Sequence, residues 1–138
     1  MSSIKLALAF AATLTIFGCV ETSIQPMSQN TFKVATVAAP ACGAAGARKA
    51  AFQTVAIEVI RRGGDRFIVL GDQSGSQFSG LGYTAYGGFT AYSSNLQDMV
   101  IRVLSPNDPE YSNGLSARET LGPDWQEVYA SGAPDTCG

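Results

Sequence analysis

The sequence predicts an α+β fold in which one long amphipathic helix packs on a small mixed or antiparallel β-sheet, with short helices near the C-terminus. The first observation is an apolar stripe at helical spacing within residues 44–62, formed by Ala51, Phe52, Val55, Ala56, Val59 and Ile60. The second is that segments rich in β-branched and aromatic residues flank this stripe on both sides. The third is Ser116 followed three residues later by Glu119, which predicts the start of a short helix.

The first half of the predicted domain has the order strand, helix, strand. Residues 31–37 (Thr-Phe-Lys-Val-Ala-Thr-Val) predict a strand, which Pro40 ends. The helix closes with Arg61 and Arg62 and then two glycines, which are typical C-terminal signals. A buried strand is predicted at 65–71. This order allows a right-handed crossover between parallel strands, and antiparallel placement remains open.

The middle of the chain is rich in glycine, serine and tyrosine. The glycine pair at 87–88 predicts a hairpin with a two-residue turn. That turn would place Tyr86 opposite Phe89 and Tyr83 opposite Tyr92. These four rings, three of them with hydroxyl groups, form a candidate binding surface for a sugar, a peptide or a partner protein. The alternative is that the rings pack on their own sheet.

The C-terminal third predicts one more strand and two short helices. Residues 96–105 place Met99, Ile101 and Val103 on one side of a strand. After the helix that begins at Ser116, a second short helix is expected around Trp125, Val128 and Tyr129. The tail then brings Cys137 back toward Cys42.

The N-terminal segment has the features of an export signal. Lys5 precedes an apolar run at 6–17, and Ile-Phe-Gly-Cys follows at 16–19. This arrangement resembles the bacterial lipoprotein signal, which implies that residues 1–18 are a signal peptide and that Cys19 is acylated. The run is shorter than the ~20 residues of a membrane-spanning helix. A secreted soluble protein is the alternative, although the small-x-small sites fall too early, inside the run.

The cysteine count agrees with this interpretation. The chain has three cysteines, an odd number for an exported protein. If Cys19 carries lipid, Cys42 and Cys137 can pair in an oxidising compartment, which adds one disulfide to the predicted fold. Such a bridge would stabilise the domain by about 4–5 kcal/mol in the chain-entropy model. Two buried free thiols or a redox pair are the alternatives.

Charge and composition restrict the partners. The chain has nine basic and eleven acidic side chains, and Lys5 lies in the leader. This balance predicts no nucleic-acid partner and no electrostatic attraction to anionic lipid, so attachment would depend on acyl chains. Residues 19–30 are predicted to be a flexible tether and 31–138 a single globular domain. By resemblance to the sorting rule of enteric bacteria, Val20 favours the periplasmic face of the outer membrane.

The chain contains no histidine, which excludes histidine-dependent triads, zinc sites and proton relays. Ser74, in a Gly-Asp-Gln-Ser-Gly segment, superficially resembles the opening motif of some esterases but has no histidine to activate it. Glu58 is expected to be solvated on the helix, Asp65 to shape a turn and Asp72 to lie at a strand end. We therefore predict no catalytic residue, no metal and no cofactor.

Several stretches together resemble small alphaproteobacterial lipoproteins without a characterised activity. They are Pro-Ala-Cys-Gly at 40–43, Ile-Glu-Val-Ile-Arg-Arg-Gly at 57–63 with Asp-Arg-Phe at 65–67, Leu-Ser-Ala-Arg at 115–118, Leu-Gly-Pro at 121–123 with Trp125, and Asp-Thr-Cys at 135–137. Gly64 departs from the aromatic residue expected at that position. The resemblance implies lipid and disulfide roles for the cysteines and no catalytic residue.

The function expected from these features is that of a non-enzymatic binding or assembly module, held in the bacterial cell envelope by lipid on Cys19. A subunit of a multiprotein envelope or secretion complex, with an envelope protein as partner, is the main alternative. A small carboxylate-dependent hydrolase using Glu58, Asp65 or Asp72 is the third and weakest.

Overall fold

The computed structural model describes residues 19–137, so the predicted signal peptide at 1–18 lies outside the described residues. The α+β class is confirmed, with one long helix, short C-terminal helices, an antiparallel sheet and one disulfide. The elements in chain order are β1 (Val20–Pro26), β2 (Thr31–Ala38), α1 (Gly43–Arg61), β3 (Arg66–Tyr83), β4 (Phe89–Val103), β5 (Leu115–Ser116), α2 (Ala117–Leu121) and α3 (Trp125–Ser131). Within residues 19–137, every helix is too short or too polar to cross a bilayer.

The five strands lie in the order β1-β2-β4-β3-β5, and each neighbouring pair is antiparallel. Because β2 and β3 both run antiparallel to β4, which lies between them, they are parallel to each other. The strand–helix–strand unit predicted from the sequence is therefore present, with a third strand inserted between its two strands.

Helix α1 covers one face of the sheet, which we call the helix face. The opposite face, which we call the open face, carries no helix from residues 19–137. The helix face supplies Phe32 and Val34 from β2 and Met99 and Ile101 from β4, all fully buried. The predicted apolar stripe of α1 packs on them, and its fully buried members are Ala51, Val55, Ala56 and Val59. Each large apolar side chain that is buried here stabilises the fold by about 1.5–3 kcal/mol. Because most of the buried apolar side chains belong to this contact, it is the main core.

The prediction of a flexible tether at 19–30 is wrong for most of that segment. Val20–Pro26 forms β1, which pairs with β2 along all seven residues. Val20 is buried and Thr22 and Ile24 are partly buried, whereas the residues between them are exposed. This alternation is typical of a strand with one face on a core. The strand leaves almost no slack between Cys19 and the folded domain.

The disulfide between Cys42 and Cys137 is present, with the Cα atoms 5.6 Å apart. It borders a second, smaller core formed by Val20, Ala38, Ala47 and Ala50. The bridge therefore attaches the C-terminal tail to the start of α1, at the end of the sheet where β1 begins.

The C-terminal helices confirm the capping prediction. The Glu119 backbone N–H donates to Ser116 Oγ at 3.3 Å, and α2 begins at the next residue, Ala117. Helix α3 then starts at Trp125, whose ring lies 4.9 Å from the Arg118 guanidinium carbon. Arg118 also forms an ion pair with Asp65 at 3.2 Å, which fixes this region beside the start of β3.

Candidate functional site

The most distinctive surface feature is a two-stranded extension of the sheet, residues 77–94, which we call the arm. β4 pairs with β2 only as far as Asn95, and β5 pairs with β3 only at Arg66 and Phe67. Beyond Asn95 the strands β3 and β4 pair only with each other, down to Tyr83 opposite Phe89. Six residues at about 3.3 Å each extend the arm roughly 20 Å beyond the body of the sheet.

The tip of the arm differs from the predicted two-residue turn. The loop covers the five residues between Tyr83 and Phe89, which lie opposite each other at the end of the ladder. Within the loop, the Thr84 N–H donates to the Gly88 carbonyl at 2.7 Å. The Thr84 hydroxyl also accepts the Gly88 N–H at 3.1 Å, and Gly87 takes a φ of 83° that favours glycine. The predicted pairing of Tyr86 with Phe89 is therefore wrong. Tyr86 lies in the loop and its side chain is fully exposed.

The register divides the predicted aromatic surface between the two faces of the arm. Residues directly opposite in an antiparallel pair share a face, and successive residues alternate. Tyr83 and Phe89 are opposite each other on the helix face, with ring centroids 5.5 Å apart in an edge-to-face arrangement. Tyr92 lies opposite Gly80 on the open face, so the predicted pairing of Tyr83 with Tyr92 is wrong.

Two further residues, which sequence reasoning missed, join the helix face of the arm. Leu81 lies opposite Ala91, and Phe78 lies opposite Ser93 on the other side of a bulge. With Tyr83 and Phe89 they form what we call the apolar strip, whose members are 63–74% exposed: Phe78, Leu81, Tyr83 and Phe89. The bulge between Phe78 and Gly80 shifts the alternation by one residue, so a simple period of two does not reveal the strip.

Of the four rings in the predicted binding surface, Tyr92 is the one that packs against the strands of the arm. A Cβ placed on Gly82 would overlap the Tyr92 ring, so the ring lies flat across this glycine. Tyr92 is also the least exposed of the four, at 46%. The alternative of a hairpin decorated by its own packed rings thus applies to Tyr92, whereas Tyr83, Tyr86 and Phe89 face solvent.

The arm and its base contain no charged side chain. From Gln73 to Gln97 the sequence has no lysine, arginine, aspartate or glutamate. Single exposed apolar residues are ordinary, but a contiguous exposed strip with neutral surroundings marks an interaction surface. The arm can therefore enter a less polar environment without desolvating a charge.

Cys19 lies at the end of the sheet from which the arm extends. Val20 is opposite Ala38, and Ala38 is opposite Asn95, the last β4 residue before the arm. The Cys19 carbonyl accepts the Ala39 N–H at 2.9 Å, and the Ala39 carbonyl accepts the Asn95 amide at 3.4 Å. Cys19 itself is exposed and has a free thiol.

Glu58 is not solvated on the helix as the sequence predicted. Its side chain is buried and bonds to Arg61 Nη2 at 2.6 Å and Arg62 Nε at 2.9 Å. Burial acts to raise the Glu58 pKa, but hydrogen bonds and positive charge from the two arginines outweigh it and hold the pKa below its ordinary value. The carboxylate therefore stays ionised at neutral pH, a state that cannot donate a proton.

The other candidate carboxylates also have structural partners. Asp65 accepts hydrogen bonds from Ser116 Oγ at 3.0 Å and the Arg118 N–H at 3.2 Å. Asp72 lies within β3 rather than at a strand end, and pairs with Arg48 at 2.5 Å. Among residues 19–137, no three carboxylate or cysteine side chains cluster as metal ligands would.

Ser74 lies two residues after Asp72 on the helix face, and both side chains bond to the amide of Gln97. Its hydroxyl donates to Gln97 Oε1 at 2.8 Å, so its observed role is to orient a buried amide.

Comparison with protein-family models, with curated proteins and with solved structures gives no match. The arm, the position of Cys19 and the disulfide therefore carry the functional interpretation.

Proposed function

We propose that this chain is a lipid-anchored protein of the bacterial cell envelope that acts as a non-enzymatic binding or assembly module. The observation that carries the proposal is that two of the three cysteines are paired and one is not. Cys42 and Cys137 are joined in a disulfide, and Cys19 is left exposed with a free thiol immediately before β1. A chain exported to an oxidising compartment needs a reason for an unpaired thiol, and acylation of Cys19 supplies it.

The anchor would hold the domain close to the membrane. β1 begins directly after Cys19, so the acyl chains and the folded sheet are separated by about one residue. Several acyl chains on one cysteine give stable attachment without any basic surface. The absence of aspartate after Cys19 supports the periplasmic face of the outer membrane as the location.

The non-enzymatic part of the proposal is supported by the occupied carboxylates. Glu58, Asp65 and Asp72 each pair with an arginine within the domain. The exposed, uncharged arm is instead suited to contact. If a hydrolase activity on an envelope polymer were found and lost on substituting one of these acids singly, this part of the proposal would be wrong.

Mass spectrometry of the protein purified from bacterial membranes tests the anchor. We expect a mature chain that begins at Cys19, carries the added mass of acyl groups and holds Cys42 and Cys137 as a disulfide. Cys19→Ser is the matched control and should lack the acyl mass. Recovery of the wild-type protein with its leader intact, or processed without lipid, would overturn the proposal. Density separation of the two membranes then tests the outer-membrane location.

One observation favours the second candidate, a subunit of a multiprotein envelope complex. β5 covers only the first two residues of β3, so from Ile68 onward the outer edge of β3 has no strand partner among residues 19–137. Such an edge can accept an added strand from another protein. Crosslinkers placed at Gln73 on β3 and, as a control, at Gln53 on α1 would detect this. A partner captured only from the β3 position supports a complex.

A further inference from the structure

We propose that the arm contacts the lipid–water interface of the same membrane that holds the acyl chains of Cys19, with its apolar strip as the contacting surface. This inference rests on the proposed lipid anchor. It names the partner of the candidate binding surface and gives the domain a fixed orientation on the bilayer.

The first argument is position. Val20, Ala38 and Asn95 form one row across the sheet, and Cys19 and the arm both leave the sheet beyond that row. Lipid on Cys19 would hold this end of the domain at the membrane surface, because β1 leaves no tether between them. An arm reaching roughly 20 Å past the same row then projects toward the bilayer or along its surface.

The second argument is chemistry. Aromatic side chains with one polar end concentrate at membrane interfaces, where the ring is shielded and the hydroxyl stays hydrated. The tip of the arm presents Tyr83, Tyr86 and Phe89, and Leu81 extends the strip toward its base. The absence of charge from Gln73 to Gln97 removes the main cost of placing this segment among lipid headgroups.

The backbone of the arm limits how deeply the arm can enter the bilayer. A two-stranded hairpin has two outer edges whose N–H and C=O groups point away from the pair, and hydrocarbon offers them no partner. Water and headgroups do offer partners. The arm is therefore placed at the interface and does not enter the hydrocarbon core.

Tryptophan fluorescence tests the contact in acylated protein reconstituted into phosphatidylcholine vesicles with brominated acyl chains. The native Trp125 packs against Arg118, which pairs with Asp65 just before β3, at the end of the sheet opposite the arm. It serves as the distant reference. The arm probe is Phe89→Trp in a Trp125→Phe background, and Tyr86→Trp in the same background is a second probe that changes no paired residue.

We expect both arm probes to shift to the blue and to lose emission on vesicles, with bromine near the headgroups quenching more than bromine at the chain ends. Trp125 should show neither change. Thr90→Trp, next to Phe89 but on the open face, should be quenched less than Phe89→Trp. Equal, negligible quenching of arm probes and Trp125 in acylated protein would overturn the inference, as would arm probes that respond only when envelope proteins are added.

A variant that lacks the apolar strip distinguishes the membrane contact of the arm from attachment through lipid on Cys19. Replacing Leu81, Tyr83 and Phe89 together by serine should abolish quenching of the Tyr86→Trp probe while the protein stays bound to vesicles through Cys19. Mass spectrometry of the same sample reports the acyl chains. A missing acyl mass contradicts the proposed function, whereas acylated protein with an unquenched arm contradicts only the membrane contact.

Discussion

Thr36 on β2 lies directly opposite Gln97 on β4, and both side chains are buried beneath α1. Gln97 makes three hydrogen bonds: Ser74 Oγ donates to its Oε1, and its Nε2 donates to the Asp72 carboxylate and the Gln73 carbonyl. The Thr36 hydroxyl, by contrast, has no hydrogen-bond partner among residues 19–137. Along β2, Thr36 lies between the main core at Val34 and the smaller core at Ala38.

Replacing Thr36 by valine should raise the free energy of unfolding by about 1 kcal/mol. The change keeps the shape of the side chain and removes a buried hydroxyl that lost its hydration without gaining a protein partner. Thr54→Val is the matched control, because Thr54 is equally buried but its hydroxyl donates to the Ala50 carbonyl at 2.9 Å. Urea unfolding should show the two changes with opposite signs; a destabilised Thr36→Val would contradict the argument.

Replacing Glu58 by glutamine should lower the free energy of unfolding by about 1–2 kcal/mol at neutral pH, because it removes the charge that Arg61 and Arg62 bind. The folded-state pKa of Glu58 lies below its ordinary value of 4.5, so the stabilisation is present above that pH. It is lost as pH falls through the folded-state pKa.

The gap between wild type and Glu58→Gln should therefore close under acid conditions. Unfolding measured from pH 7 downward checks this, with Glu127→Gln on the exposed part of α3 as control. A gap that persists or widens as pH falls would show that the carboxylate charge is not what stabilises this region.

Replacing Gly82 by alanine should loosen the arm, because the added Cβ displaces the Tyr92 ring. The expected cost is about 0.5–1 kcal/mol, the size of one cross-strand side-chain contact. In a Tyr92→Ala background the same substitution should be neutral or stabilising, since the obstructing ring is gone and glycine is unfavourable in a strand. A double-mutant cycle measured by hydrogen exchange of arm amides checks the coupling. Additive effects would contradict the observed ring position.

Breaking the disulfide should cost about 4–5 kcal/mol, because Cys42 and Cys137 are 95 residues apart in the chain and their link restricts the unfolded state. Thermal unfolding of the Cys42→Ala, Cys137→Ala double variant, with wild type in reductant as a second measurement, checks this. The Cys19→Ser chain should match wild type in the same assay, because the Cys19 sulfur takes no part in a disulfide. Unchanged stability of the double variant would contradict a structural role for the bridge.

The register of the arm shows why its sequence was partly misleading. The glycine pair at 87–88 correctly indicated a hairpin, but glycine permits many turns. The ladder ends with Tyr83 opposite Phe89, which leaves a five-residue loop bridged by the hydrogen bonds of Thr84 with Gly88. The bulge before Gly80 brings Phe78 to the same face as Tyr83 and Phe89. Turn length and bulges are set by pairing along the whole ladder, which local residue preferences do not contain.

Glu58 on α1 is a second residue whose surroundings could not be predicted from its neighbours in the sequence. Its position among polar residues suggested exposure to solvent, yet the carboxylate is buried and two neighbouring arginines balance its charge. β1 was missed for a related reason: seven residues of low hydrophobicity become a strand because β2 offers a paired edge along their full length.

The sequence by itself determined the α+β class, the limits of α1 and the cap at Ser116, because helical periodicity and end signals act within a few residues. It also predicted the partners of the disulfide, because the resemblance of residues 16–19 to a lipoprotein signal set Cys19 aside and left Cys42 and Cys137 to pair. Only the tertiary structure decided that Cys19 and the arm leave the sheet at one end and that Tyr83 and Phe89, but not Tyr92, share an exposed face. Those relationships depend on strand order and register, which pairing between distant segments fixes.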